Sequence, residues 1–560
     1  MDGQAFLDQF GHIADSAGGI GKIRELVLQK AITGGLAENS PDDGSVEHLL
    51  NDVRTVKREL IASGVIGKPS KSRSNSQIVR PFSTPPSWRW IRLEDLCSVI
   101  TKGSSPKWQG VNYVNAEEGV LFITSENVGV YHLRKMDQRK YVERHFNDIE
   151  PRSILQKNDV LVTLVGASIG RSAIYHLETP ANINQAVAIV RLIDSVPNIS
   201  HDFLLHYLNS PICLDIMFAN QVESARANLS LTNVKDFQIP FPPLAEQKRI
   251  VAKVDELMGL LDELERQQAR REEVRQAACV SVLHHLTAPT DEDDQPTKPA
   301  PWPRLEQNFN TLIQTPTDVQ ELRKTILQLA VTGRLVEQDE SDESADDLLN
   351  KIDATKAERI ASGELPKSAK NKNDSAPILN WDIPVGWAVT NLNRVCSLVT
   401  DGEHLTPTRV SYEAVPLVTA KNVRDGSLDM NNTDFVSEET AEKCWRRCQP
   451  QHLDILMVCV GATTGRLTVV RNPPEMVIVR SVALFRPFSD YVDSDYLAVV
   501  LRSPHGQKQV WGGVKQSAQP CLYISKSKGI AIPLPPLAEQ GRIVSRVNEL
   551  MTLCDQLEQQ

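Results

Sequence analysis

The chain has 560 residues and a net charge of −10, with 41% hydrophobic and 24% charged side chains and nine cysteines. That length is too great for one core and suggests about three or four compact units of ordinary soluble composition. The net acidity argues against a generic nucleic-acid binder working through bulk positive charge. No apolar run reaches the roughly 18 residues of a membrane span, and MDGQAFLDQFGHIADSAGG lacks a basic-then-apolar leader. An odd cysteine count without secretory context points to a reduced, cytoplasmic chain.

Residues 1–87 read as a helical segment followed by a basic linker. From Phe10 to Leu36 the pattern is helical, with Ile20, Ile23, Val27 and Ala31 on one face and Gly34 and Gly35 placed to cap the end. A second helix is expected at 46–63, and GKPSKSRSNSQIVR has the composition of solvated chain. From Trp88 short β-branched runs alternate with turn residues, which predicts strands over 88–241. HDFLLHYLNSP (201–211) interrupts them as an amphipathic helix.

Residues 242–288 form a predicted long helix. The double proline of IPFPPLAEQKRIVAKVDELMGLLDELE stops what precedes it, and Glu246 falls in the first turn, where the helix dipole favours a negative charge. Ile250, Val254, Leu257, Leu261 and Leu264 then alternate at spacings of four and three, a coiled-coil seam that needs a partner helix. An acidic, proline-rich linker is expected at 289–308.

The chain then repeats itself. Residues 309–380 answer the N-terminal segment: AVTGRL matches AITGGL, a helix at 345–362 matches 46–63, and both helices end in IASG. Residues 381–534 answer the first strand-rich domain, with VCSLVTDG for LCSVITKG and DILMVCVGATTGR for DVLVTLVGASIGR. Residues 535–560 carry the second helix, and IPLPPLAEQGRIVSRVNELMTLCDQLE is identical to its counterpart at roughly two positions in three. Its seam runs Ile543, Val547, Leu550, Cys554 and Leu557, so the two copies are expected to pair with each other. The fold class that follows is α+β: two β-rich mixed α/β domains joined by long antiparallel coiled-coil helices, with an internal pseudo-two-fold repeat.

The twice-occurring PPLAEQ…RIV…V.EL…..LE helices, the paired VGA..GR segments and the helix–domain–helix–domain order resemble the specificity subunits of type I restriction–modification systems. The resemblance spans nearly the whole chain. It implies two target-recognition domains, each reading half of a split site in double-stranded DNA. It implies helices that set the spacer and dock two methyltransferase subunits, with restriction/translocase subunits further out. S-adenosylmethionine, Mg and ATP would then sit on the partner subunits and none on this chain, which would do no chemistry.

Against that background the loop residues gain candidate roles. TKGSSPKW (101–108) and TDGEHLTPTR (400–409) follow a strand; Lys102, Lys107 and Arg409 are suitable donors to DNA, with Ser104, Trp108 and Thr408 beside them. As pure connectors these loops need nothing more. The clusters Arg134, Lys135, Arg139 and Arg446, Arg447 serve either as solvated faces or as phosphate contacts. GASIGR and GATTGR lack the GK[ST] ending of a phosphate cradle; they read as tight turns that could present Arg171 and Arg466. The helix starts Glu246, Gln247, Glu539 and Gln540 are candidates for contact with a methyltransferase subunit, although a helix cap explains the glutamates almost as well.

Two other classes compete with this one. A self-contained methyltransferase or nuclease requires cofactor and catalytic motifs. Asn472-Pro473-Pro474-Glu475 begins like an amino-methyltransferase motif but has Glu475 where an aromatic should stack on the flipped base, so it reads as a turn. A helical scaffold without DNA reading predicts loops without basic and amide residues, which these loops contain. Cys444 and Cys448 lack a second nearby Cys/His pair, so no metal site is expected.

Overall fold

The computed structural model describes residues 10–67, 80–219, 228–287, 301–366, 378–515 and 520–559. Two compact units divide at Arg270/Arg271. The basic linkers, most of the acidic linker and the segment before Asn228 lie outside the described residues.

In the first unit, helix α1 (Gly19–Ile32) buries Ile20, Ile23, Val27 and Ala31. It ends at Thr33, followed by Gly34 at φ +78°, where a Cβ would strike the Pro85 ring at 2.3 Å. Helix α2 (Val46–Ala62) follows. The domain is closed by antiparallel pairing of its first strand, β1 (Arg89–Arg92), with its last, β10 (Gln238–Phe241). Between them lie β2 (Cys97–Lys102), β3 (Tyr113–Val114), β4 (Gly119–Ile123), β5 (Lys140–Glu143), β6 (Val160–Thr163), β7 (Ser172–Ile174), β8 (Ala181–Ile183) and β9 (Val187–Leu192). One four-stranded sheet has the order β2-β9-β6-β7 and is antiparallel throughout. The other has the order β3-β5-β4-β8, with β4 and β8 parallel. Helices α3 (His201–Leu208) and α4 (Pro211–Ala219) cover the first sheet.

Helix α5 (Leu244–Thr287) is 44 residues long, about 66 Å at 1.5 Å per residue. Ile250, Val254 and Leu261 are buried in one core with α1, and Leu257 and Leu264 pack partly buried against it. Arg24 of α1 bridges Asp262 at 2.6 Å and Glu265 at 3.0 Å.

In the second unit the last turns of α5 bury Cys279, Val282, Leu283 and Leu286. They share that core with α6 (Pro301–Leu312) and α7 (Pro316–Val331). Two differences from expectation arise here. The segment 301–308, read as linker, is the start of α6, because Leu305, Phe309 and Leu312 form an apolar face that finds a core. The single helix expected from 309 is broken at Thr315, which makes a capping box with Asp318 and places Pro316 at the first helical position.

Helix α8 (Ala345–Ala361) repeats α2. β11 (Ala388–Asn391) then pairs with β24 (Ala531–Leu534) as β1 pairs with β10. The antiparallel sheet recurs as β12 (Cys396–Asp401), β21 (Val482–Pro487), β18 (Ile455–Val458) and β19 (Leu467–Val469), in that spatial order. The mixed sheet recurs as β13 (Arg409–Val410), β17 (Asp434–Val436), β14 (Val415–Val418) and β20 (Val477–Ile478), again with its last pair parallel. Helices α9 (Ser494–Arg502) and α10 (Pro504–Gly512) answer α3 and α4. The strand order is thus duplicated, and the antiparallel pairs β15 (Val423–Arg424) with β16 (Ser427–Leu428) and β22 (Val514–Lys515) with β23 (Cys521–Leu522) are described in the second domain alone.

The final helix α11 (Leu537–Gln559) buries Ile543, Val547 and Cys554, with Leu550 and Leu557 partly buried, in one core with Ile326, Leu329 and Ala330 of α7. Arg323 of α7 reaches Asp555 at 2.6 Å and Glu558 at 3.3 Å, as Arg24 does in the first unit. Within each unit, then, the seam packs against the helix that opens the same half, α1 or α7. The reason is a matching stripe: α1 and α7 each present apolar residues at helical spacing and one arginine set to bridge the acidic flank.

Candidate nucleic-acid interface

Each strand β2 and β12 leads into a loop through a glycine that nothing larger could replace. A Cβ on Gly103 would lie 1.8 Å from the Ile183 carbonyl oxygen, and one on Gly402 would lie 2.1 Å from that of Ile478. These close approaches pin the loop against the end of the parallel strand β8 or β20, so the side chains beyond it start from a fixed point.

In the first domain Lys102 and Lys107 are exposed, Ser104 is half-buried, and Trp108 is 73% exposed. The loop is braced from within: Gln109 Nε2 donates to Ser104 Oγ at 3.0 Å and to Glu150 Oε1 at 3.2 Å. Arg134, Lys135 and Arg139 lie exposed between β4 and β5. Arg134 Nε donates to the Glu126 carbonyl at 3.0 Å, and Arg139 Nε to that of Met136 at 2.9 Å. Arg171 ends the tight turn between β6 and β7, where Gly170 N–H donates to Thr163 O at 3.0 Å. Tyr131 N–H donates to Ser172 O at 2.9 Å, which brings the Arg134 loop beside the Arg171 turn. No described contact joins these two to the Lys107 loop.

In the second domain the candidates converge. Asp401, at the end of β12, receives the Arg447 guanidinium on both its carbonyl and its carboxylate. His404 Nε2 stands 3.0 Å from the same carboxylate. Arg409 Nε and Lys421 Nζ both pair with Asp434, at 3.3 and 3.2 Å. These groups line two adjoining clefts of about 610 and 410 Å³. Thr408 and Arg446 are exposed, and Arg466 closes the β18–β19 turn as Arg171 does its counterpart. Cys444 and Cys448 are buried thiols, and burial pushes Cys448 up to about 11. Lys421, His404 and Arg480 were not anticipated; aligning the halves strand by strand exposes them as unlike residues in a shared framework.

The four helix-start residues have an internal role. Gln247 is fully buried; its Oε1 accepts Ser200 N–H at 2.7 Å and its Nε2 donates to Pro242 O at 2.9 Å. Gln540 repeats this with Asp493 N–H at 2.8 Å and Pro535 O at 3.0 Å. Ser200 and Asp493 are the N-caps of α3 and α9. Glu539 Oε2 accepts the Trp387 indole N–H at 3.0 Å, and burial raises its carboxyl above the ordinary range. Burial raises Glu246 likewise, but the Trp88 indole N–H is buried without a hydrogen-bond partner, so the tryptophan bond of the second unit is not closed in the first. Glu246, Gln247, Glu539 and Gln540, expected at a methyltransferase contact, are buried within this chain, and the bonds of Gln247, Glu539 and Gln540 latch each domain to the helix that follows it.

A buried ion pair recurs inside each antiparallel sheet. Arg191 meets Asp159 at 2.6 Å, and Arg486 meets Asp454 at 2.7 Å. Burial raises the Asp159 carboxyl, and Arg191 opposes that rise.

Comparison with known proteins shows what the chain is similar to. The type I restriction modification DNA specificity domain matches residues 85–274. The chain is 25% identical over 562 residues to the type I restriction enzyme EcoEI specificity subunit of Escherichia coli, covering 96% of this chain and 90% of that one. It is 24% identical over 556 residues to the EcoAI specificity subunit of the same organism, with the same coverage. A solved HsdS subunit from Thermoanaerobacter tengcongensis is 17% identical, with a TM-score of 0.40 over 86% of this chain and 94% of that one. By the domain match over 85–274 and these two relatives, the chain is similar along nearly its whole length to specificity subunits of type I restriction enzymes.

Proposed function

We propose that this non-catalytic subunit reads a bipartite site in double-stranded DNA, one half per domain. The observation that carries the reading is the strand-for-strand duplication of the two domains with unlike side chains on equivalent loops. A side chain can distinguish all four base pairs only in the major groove, and a few pinned loops on a small domain suffice for a half-site. Duplication in one chain supplies the dyad of a homodimer while letting each half read its own sequence. Lys102, Ser104, Lys107, Trp108, Arg134, Lys135, Arg139 and Arg171 form the first contact set; Thr408, Arg409, Arg446, Arg447 and Arg466 form the second.

The helices set the spacer and dock two methyltransferase subunits, with restriction/translocase subunits bound in turn. S-adenosylmethionine, Mg and ATP are carried by those partners. No described helix is long and apolar enough to cross a membrane.

The test is a reconstitution. The purified chain alone should neither methylate nor cut DNA, and sequence-specific methylation should appear when the methyltransferase subunit is added. Transfer of labelled methyl groups by this chain alone would overturn the reading.

A further inference from the structure

The turn that joins β8 to β9 in the first domain has the same hydrogen bonds as the turn that joins β20 to β21 in the second. Asn184 N–H donates to Ile123 O at 3.1 Å and Val479 N–H to Val418 O at 3.3 Å. Val187 N–H closes back on Asn184 O at 3.2 Å, and Val482 N–H on Val479 O at 2.8 Å. Leu164 N–H and Cys459 N–H each donate, at 2.8 Å, to the third residue of the turn, Ala186 or Ser481. The middle position is therefore equivalent in the two domains. It holds Gln185 in one and Arg480 in the other.

Arg480 lines both clefts of the second domain, and its backbone N–H is tied to Glu403 O at 2.9 Å. Its neighbours are already held by carboxylates: Arg409 and Lys421 by Asp434, Arg447 by Asp401. Among the described residues no ion pair restrains the exposed Arg480 guanidinium. Glu403 and Asp434 line the same cleft. Those carboxylates repel a phosphate but suit base edges, which carry donors as well as acceptors. A planar fork on a rigid turn matches the O6/N7 edge of guanine, and a primary amide at that place matches the N6/N7 edge of adenine.

We infer that position 185/480 is a base-reading position in each domain: Arg480 reads a guanine in the second half-site, and Gln185 an adenine in the first. This rests on the DNA-reading function proposed above.

The full chain with its methyltransferase partner is assayed against duplexes varied one base pair at a time across the site, by competition binding and by methylation. R480A should lose preference for guanine at one position of the second half-site by about 5- to 150-fold, leaving the first half-site unchanged. R480Q should move that preference towards adenine. Q185R should move one position of the first half-site towards guanine, a separate test should either Arg480 variant fail to fold. Unchanged relative preferences in R480A, or uniform weakening across all sequences with a shallower salt dependence, would overturn the inference, the latter by marking a phosphate contact. If the unaltered chain with its partner shows no sequence preference, the DNA-reading function itself fails.

Discussion

Trp387 Nε1 donates to Glu539 Oε2 at 3.0 Å, which ties the first residues of the second domain to the first turn of the helix after it. The other carboxylate oxygen, Oε1, is buried with no hydrogen-bond partner. The indole is thus the described donor to a carboxylate only 1% exposed. Removing it with W387F should cost about 1–3 kcal/mol, the penalty for stranding a buried acceptor. E539Q, which keeps an acceptor and removes the charge that burial disfavours, should cost less than E539A. Urea unfolding measures both, and an unchanged midpoint in W387F would show that the latch adds no stability.

Ion pairs of nearly equal length, Arg486–Asp454 at 2.7 Å and Arg323–Asp555 at 2.6 Å, should differ widely in worth. Asp454 is completely buried, and Arg486 also donates to the Gln449 carbonyl at 2.8 Å. R486A leaves an unpaired carboxylate inside the sheet and should cost about 3–5 kcal/mol. Arg323 bridges two partners, but Asp555 is largely in water. The ionic part of R323A should therefore be only about 0.2–1 kcal/mol. The ranking is read from denaturation midpoints at low and high salt, where the Arg323 contribution should shrink and that of Arg486 persist.

His206 should make the first domain weaker in acid. It is buried on α3, with Nδ1 3.2 Å from Tyr131 Oη and Nε2 3.8 Å from Asp255 Oδ1. Burial lowers its pKa from 6.5, and Asp255 and Asp202 oppose the shift. The folded chain then prefers neutral imidazole, and the unfolded chain takes up the proton first. The stability from this site is complete above the ordinary histidine value and is lost as pH falls through it towards the lowered one. H206V installs the residue type of the equivalent position, Val499, and should flatten this loss. Urea midpoints from about pH 7.5 down to about pH 5 provide the check; parallel curves for the two proteins would refute the assignment.

Much of this architecture was legible because it is written twice. The seam Ile250–Leu264 recurs as Ile543–Leu557, and each strand-rich run has its counterpart, so a helix or strand weakly signalled in one half is corroborated in the other. What escaped was any property set by burial in three dimensions. Glu246 and Gln247 look like an ordinary polar helix start, and only packing against Trp88 and Ser200 turns them inward. The packing of α1 and α7 on the two seams was not legible, because a heptad stripe specifies an apolar neighbour without saying which. In the second domain Asp401, His404 and Arg447 meet across 46 residues of chain, and no local pattern announces such a meeting.

The two contact sets should act separately. K107A and W108A should weaken recognition of the first half-site, and R409A and R447A that of the second. A base-edge contact is worth about 1–3 kcal/mol of discrimination, whereas a phosphate contact lowers affinity without altering preference. Arg447 carries a further expectation. It holds Asp401 and His404 in place, so R447A should disturb neighbouring positions of the same half-site as well as its own. Methylated sites mapped by sequencing decide the matter; a change in the first half-site caused by R409A would refute modular reading.

The last prediction concerns the helix that runs from one unit into the other. Its early turns pack on α1 and its late turns on α6 and α7, and the unit boundary falls between Arg270 and Arg271, both exposed. Four residues inserted there as helix former should leave both packed ends intact. They add about 6 Å and about 40° of rotation to the helix. One extra base pair adds about 3.4 Å and about 34° to B-DNA. Rotation therefore favours a spacer longer by one base pair, and length allows nearly two. The expected product is an active subunit that methylates the original half-sites with one or two more base pairs between them. An active insertion variant with the original spacer would show that this helix does not set the distance.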